Sequence, residues 1–286
     1  MLTASGAGAG PVRMPERSRP SGVSRPRSAL AARQNRQRKG CPVPDIQPEA
    51  FPRFAACGDR ALAVEFSDRV DETVNETVLA LARALEDGPP DGLDEIVPTY
   101  RSLLVFYDPV RTGHGELAEA IRTRLDSLPR IERAGGEVSI PVHYGGEACL
   151  DLEEMAASKG MDREEVIAQH LSGDYRVYMI GFAPGFAYLG GLPDALHTPR
   201  KPAPRQRVPE GAVGIGGAQA CVNSVASPSA WHFIGQTPLK LFDPHRERPF
   251  LLSAGDRVRF RRVGADEFAD IEERIANGDT GLERDG

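Results

Sequence analysis

Between Gly181 and Pro209 the chain carries six prolines and four glycines, and this run limits the fold more than any other feature. Proline fixes φ and removes a backbone donor, so no helix crosses such a stretch, and it is too stiff for a flexible linker. Phe182, Phe186, Tyr188, Leu189 and Leu192 are threaded through it, which predicts anchoring against a core. Arg200, Lys201, Arg205 and Arg207 then follow within eight residues that hold no acid. An ordered, proline-stiffened loop with a basic cluster can hold cations in front of an anionic ligand. The plainer reading is a solvated loop whose arginines neutralise an acidic body.

That body is indeed acidic. Residues 1–40 hold nine Lys and Arg against one acid, a net of +8, while the whole chain is −6, which leaves −14 for residues 41–286. The balance gives no reason to expect nucleic acid or a membrane surface as partner. Residues 1–49 are rich in Gly, Ala, Ser, Pro and Arg and cannot offset their own ordering entropy. They read as a disordered tail or an extension from a misplaced start codon, with a transit-like presequence as the alternative; an apolar core of signal-peptide type is missing. At 286 residues the chain is long enough for two compact domains, and no run approaches transmembrane length. Cys41, Cys57, Cys149 and Cys221 lie far apart, as expected of reduced thiols in a cytoplasm, each a small buried apolar residue.

Hydrophobic periodicity divides the rest. Strands are expected at 51–56, 61–66, 96–99 and 102–107, and amphipathic helices at 70–85 and 116–128, the second stopped by Pro129. This alternation predicts a small α+β domain over residues 50–134, whose work is packing and partner contact. Over residues 135–264 strands dominate, at 137–144, 176–180, 213–215, 232–233, 239–242 and 257–262. Short helices at 152–159 and 163–171 interrupt them, the latter capped by Asp162. Many short strands with Gly and Pro punctuation predict a closed or nearly closed barrel. Residues 265–286 complete the chain as a helix or tail.

The candidate chemistry is sparse. Arg200 and Arg207 could present guanidinium forks to a carboxylate or carboxyphosphate. They are preferred to Arg205 because one follows Pro199 and the other precedes a strand. Gln219 offers an acceptor and two donors, a match for a cyclic amide that shows C=O and N–H side by side, or else it bonds its own loop. Trp231, the only tryptophan, could stack on a planar ring or plug the core, and Tyr188 and Phe186 share that ambiguity. Ser227 and His232 lack a nucleophile elbow and an orienting acid. The glycines at 214–217 lack the Lys-Ser/Thr ending of a phosphate loop, and the six histidines show no metal-ligand spacing.

The segment Gly181-Phe182-Ala183-Pro184-Gly185-Phe186-Ala187-Tyr188-Leu189-Gly190-Gly191 carries a resemblance. With Thr198-Pro199-Arg200, Pro204-Arg205-Gln206-Arg207-Val208-Pro209, Gln219, Ser227-Pro228, Trp231 and Ile234-Gly235-Gln236-Thr237-Pro238, it resembles the carboxyltransferase subdomain C and D family. Members of that family have been named as the B subunit of 5-oxoprolinase, the first subunit of allophanate hydrolase and a histidine-kinase inhibitor. The resemblance runs from about Val138 to Val263, and more weakly back to Phe51. It implies an α+β fold, a small N-terminal α+β domain followed by a cyclophilin-like β-barrel. It further implies a subunit of an ATP-dependent cyclic-amide hydrolase, 5-oxoprolinase, acting with a second subunit on a lactam. ATP is then a co-substrate of the complex, with no phosphate loop in this chain and its catalytic groups elsewhere. Arg200, Arg207, Gln219, Tyr188, Ser227 and Trp231 are the expected substrate contacts. The alternatives are a non-catalytic inhibitor of a sensor histidine kinase and an allophanate hydrolase or urea carboxylase-related carboxyltransferase subunit. Asn223, Ser224 and Gln236 depart from the family pattern, so the substrate is expected to shift with them.

Overall fold

The structure, a computed structural model, describes residues 50–128 and 135–281, and the backbone of 283–285. The expected N-terminal tail, Cys41 and the helix stop at Pro129 lie outside the described residues. Everything described falls in one compact unit, Glu49–Gly286.

The unit holds two main sheets, each with its own core. The first is antiparallel, formed by β1 (Arg53–Ala56), β2 (Ala61–Glu65), β3 (Leu93–Pro98) and β4 (Ser102–Tyr107) in the order β1-β2-β4-β3. Strict alternation along β4 sends Leu103, Val105 and Tyr107 to the buried face. Helices α1 (Glu72–Asp87) and α2 (His114–Asp126) cover that face. In α1, Val78, Leu81 and Leu85 sit three and four residues apart and are fully buried, the stripe that a 3.6-residue period dictates. Asp71 starts the helix by accepting from the Thr73 and Val74 amides at 2.9 and 3.2 Å, the expected role of an N-cap carboxylate.

The second sheet is the barrel. Its strands are β5 (Glu137–Val142), β6 (Tyr175–Ile180), β7 (Ala187–Gly190), β9 (Ala212–Gly216), β10 (Gln219–Val222), β12 (His232–Gln236), β13 (Arg257–Arg262) and β14 (Glu283–Asp285). They run in the order β12-β9-β10-β7-β6-β13-β5-β14. The sheet is mixed because β13 runs parallel to β5. Just past β5, His143 meets Gln236 of β12 and the two residues exchange backbone hydrogen bonds of 2.8 Å each. That pair brings β5, near one end of the strand order, against β12 at the other, and nearly closes the sheet. The fold is thus α+β with a nearly closed barrel, as expected. β8 (Arg205–Val208) and β11 (Ser227–Ser229) form a separate ribbon. Helices α3 (Leu152–Lys159), α4 (Arg163–Leu171) and α5 (Ala265–Ala276) pack around the barrel, and α4 is capped by Asp162 as the sequence predicts. Val138, Ile140, Val177, Leu189, Val213, Ile215 and Ile234 fill the interior.

Three expectations need correcting. Residues 239–242 are not a strand: Pro238 supplies no amide to a ladder, and only Phe242 forms a bridge, to Phe250. Leu239 and Leu241 are buried all the same. The Pro/Gly run from 181 to 209 is more than a loop, since β7, a one-turn 3-10 helix at Asp194–Leu196 and β8 all lie in it. Cys57 is exposed rather than buried, whereas Cys221 is buried and Cys149 intermediate.

The two sheets are fastened by polar contacts. Arg176 of β6, 7% exposed, reaches Glu76 of α1 at 2.6 Å and Glu72 at 3.3 Å. Asn75, wholly buried in α1, places Nδ2 within 3.1 to 3.3 Å of the carbonyl oxygens of Tyr178, Thr99 and Tyr100.

Candidate functional site

The outer surface of the β7–β10–β9 ladder carries the sequence-predicted residues. Along each strand alternate residues face opposite sides, so while Leu189, Ala220 and Ile215 enter the barrel core, Tyr188, Cys221 and Gly216 face out. Gly216 explains part of the glycine-rich run 214–217. A Cβ built there would lie 2.5 Å from the Trp231 ring, and one at Gly214 would lie 2.8 Å from Phe233. The missing side chains let two aromatic rings lie directly on the sheet. Trp231 is therefore a buried floor, 5% exposed, packed with Phe186, Phe233 and Cys221.

A row of rings continues from it. Tyr188 lies 6.1 Å from Trp231 and 4.8 Å from Phe186, and Tyr100 sits edge-on to Tyr188 at 5.7 Å and to Tyr178 at 6.0 Å. Arg200 places its guanidinium over the Trp231 ring, 5.2 Å from the centroid, a cation–π arrangement. Among the described residues Arg200 forms no ion pair. Its reach extends along the row: burial, the leading influence, pushes the Tyr100 and Tyr188 phenols upward, and the Arg200 charge draws both partly back. Both hydroxyls stay protonated at neutral pH. The Tyr100 hydroxyl donates to Gln219 Oε1 at 2.9 Å.

The structure thus brings Arg200, Trp231, Tyr188 and Gln219 to one face. Phe182, Phe186, Tyr188, Arg200 and Trp231, with Pro204 and residues 228–230, line a cavity of about 170 Å³. Phe182 stands at its rim, 68% exposed, while Phe186 and Leu189 of the same run are buried. Its φ is +68°, a left-handed conformation that costs a non-glycine residue energy and persists only where its surroundings impose it. A second cavity of about 430 Å³ shares Arg200 and adds Lys201, Glu154, Thr198 and His232.

Other candidates are placed elsewhere. Arg207 is exposed on β8 and lines neither cavity. Ser227 donates to Asn223 Oδ1 at 3.2 Å, while His232 Nε2 lies 3.0 Å from the Pro199 carbonyl, so the two form no nucleophile–base pair. Asn223 is buried and donates to the Val208 and Pro209 carbonyls at 3.2 and 2.9 Å. Gln236 lies at the barrel seam. Ser224 is fully buried, and none of the three departures lines the aromatic cavity. Arg205, passed over in the sequence, has a structural task. It donates to the fully buried Asp151 carboxylate at 3.0 Å, where Lys201 lies 3.0 Å from the other oxygen and the Phe233 amide donates at 2.8 Å. Burial opposes the Asp151 charge, but these hydrogen bonds outweigh it and hold the carboxyl below its usual range.

Tyr100 was not legible as a site residue. It lies in the turn between β3 and β4, within a region whose sequence shows only packing patterns, and its partner Gln219 is 119 residues away. Nothing local signals such a contact.

Comparison with known proteins gives this geometry its context. The family model for the carboxyltransferase domain, subdomain C and D, matches residues 52–252. The chain is 40% identical over 223 residues to the B subunit of 5-oxoprolinase from Bacillus subtilis strain 168, covering 74% of this chain and 92% of that protein. It is 38% identical over 203 residues to the corresponding 5-oxoprolinase protein of Escherichia coli O157:H7, also named as the B subunit, covering 71% and 92%. It is also 34% identical over 267 residues to the urea amidolyase of Lachancea kluyveri, covering 82% of this chain but 14% of that much longer one. Among solved structures, TTHA0988 superposes with a TM-score of 0.65 at 44% identity, over 72% of this chain and 40% of that one. The urea carboxylase of Kluyveromyces lactis shares the fold, with a TM-score of 0.68 at 21% identity, over 81% and 23%. The chain belongs to the carboxyltransferase-domain family of subdomains C and D, alongside the bacterial 5-oxoprolinase B subunits.

Proposed function

We propose that this chain is one subunit of an ATP-dependent cyclic-amide hydrolase of the 5-oxoprolinase type, working in the cytoplasm with a second subunit. The observation that supports it most is the outer face, where a guanidinium free of ion pairs among the described residues lies over a buried indole at the cavity and a carboxamide beyond the cavity lining is held by Tyr100. A five-membered lactam carboxylate has the matching parts: an anion, a nearly flat ring and an amide. Arg200, held over the buried Trp231 ring, takes the carboxylate, Tyr188 takes the ring face, and Gln219 addresses the amide. Arg207, exposed and apart from the cavity, has no share in that clamp.

A lactam is a stable amide, and ATP supplies the driving force by phosphorylating its oxygen. This chain's residues bind, orient and keep water from the ring. Among the described residues no carboxylate or imidazole lines the aromatic cavity as a general base, so the partner subunit completes the chemistry. The relatives named as B subunits support that division of labour, and those reported above lend no support to kinase inhibition. The likeness to urea amidolyase favours carboxyl transfer as the second reading.

Emission of Trp231, the only tryptophan, tests the binding. Titration with 5-oxoproline should change its intensity saturably, and Arg200→Ala should weaken the apparent affinity about tenfold or more, the loss expected of a charge-assisted hydrogen bond. Emission that ignores the lactam in both proteins would remove the reading. Carboxyl transfer from a biotinylated carrier, with no lactam response, would install the second one.

A further inference from the structure

The hydroxyl of Tyr100 has a consequence for which ligands the face accepts. Its proton goes to Gln219 Oε1 at 2.9 Å. A phenol that donates keeps its oxygen lone pairs as acceptors, and a carboxamide whose oxygen is engaged keeps its Nε2 hydrogens as donors. Gln219 Nε2 has no other partner among the described residues, and both side chains are only half-buried. In this pairing an acceptor and a donor stand next to each other.

We propose that Tyr100 is a specificity-determining residue which, with Gln219, reads an N–H beside a C=O in the ligand. The inference rests on the lactam reading above. Tyr100 Oη accepts the ring N–H, and Gln219 Nε2 donates to the carbonyl. Without Tyr100 the Gln219 amide is free to turn over and present either end. In the pairing seen, a ring ester, which shows an oxygen where the lactam shows N–H, meets a lone pair instead of a proton. Discrimination arises because a ligand that covers the pair without an N–H leaves the Tyr100 oxygen unpaired.

The placement of Tyr100 is itself controlled. Asn75 holds the carbonyls of Thr99 and Tyr100 at the tip of the β3–β4 turn and the Tyr178 carbonyl of β6 on one amide nitrogen. Edge contacts with Tyr178 and Tyr188 fix the ring. The first sheet thus supplies a rigid reader to a site built on the second, as a preorganised contact requires.

The test compares 5-oxoproline with its five-membered lactone analogue by calorimetry on the full chain. Wild type should prefer the lactam by about tenfold or more. Tyr100→Phe keeps the ring and its edge contacts, so its melting temperature should stay close to wild type. Its lactam preference should shrink to within about threefold, with lactone affinity nearly unchanged. Gln219→Glu gives an independent arm: it replaces the donor and should weaken both ligands, since both carry the carbonyl. A Tyr100→Phe protein that still prefers the lactam as wild type does, or a Gln219→Glu protein that binds both normally, overturns the assignment while leaving the binding site itself standing. Wild type that binds neither ligand overturns the lactam reading, and this inference with it.

Discussion

Four basic residues within eight positions turn out to do different jobs, and the difference lies in their partners. Arg205 and Lys201 neutralise a carboxylate with no exposed surface, whereas Arg200 covers the Trp231 ring and Arg207 faces outward. Removing the Asp151 charge by Asp151→Asn takes from Arg205 its carboxylate partner and leaves Lys201 with Glu154 alone, 2.8 Å away. The stability loss, read from urea unfolding, should be on the order of 3 kcal/mol. Arg207→Ala should stay within about 0.5 kcal/mol, as surface substitutions do. His170 makes a pH prediction. Tyr144 Oη lies 2.7 Å from its Nδ1, and burial pushes the imidazole down to about 3. Below about pH 6.5 the unfolded chain binds a proton that the folded state excludes, so stability falls as the pH drops through that window towards the folded value. His170→Gln removes the titration, and its melting temperature should change less than that of wild type between about pH 7.5 and pH 5. Equal slopes for the two proteins would contradict this. The basic cluster was legible in the sequence, but its division was not, because Asp151 lies 54 residues before Arg205.

At the level of elements, legibility followed the strength of the local pattern. Helices α3 and α4 and strands β4 and β13 stand where periodicity and the Asp162 cap put them. β7 and β8 are hidden by the surrounding prolines and glycines, and β10, with the sequence Gln-Ala-Cys-Val, lacks the β-branched run that announces a strand. β10 pairs with β9 across only two residues and β7 with the nearby β6, while β7–β10 and β8–β11 join segments farther apart in sequence. The same ladder shows why glycine is needed: β9 must be bare where the indole rests on it. In Gly216→Ala the new methyl falls 2.5 Å from the ring, so the indole has to move. Overpacking of this kind costs about 1–3 kcal/mol. The emission of Trp231 should shift to the red as the ring leaves its buried seat, and lactam affinity should fall with it. Unchanged emission would mean that the ring is not seated on Gly216.

The described residues form one unit in which two sheets keep separate cores and share one face. The cores were legible as two patterns of burial, period 3.6 against 2 in the first region and strand-dominated in the second. Their coupling was not, because Asn75, Arg176 and Tyr100 act over about a hundred residues of separation. No helix among the described residues is long and apolar enough to cross a membrane. Among the described residues no acid or imidazole lines the aromatic cavity, and on this ground we propose that catalysis belongs to an assembly. A stable complex should bury on the order of 1,600 Å² or more, and the exposed Phe182 at the cavity rim is a natural part of that contact. Division of the chemistry between two chains is decided by 5-oxoproline-dependent ATP hydrolysis, with this chain and its partner subunit assayed separately and then mixed. No lactam-dependent turnover is expected from this chain alone, full turnover from the mixture, and its loss when Arg200→Ala replaces wild type. Lactam-dependent ATP hydrolysis by this chain alone would refute the shared site.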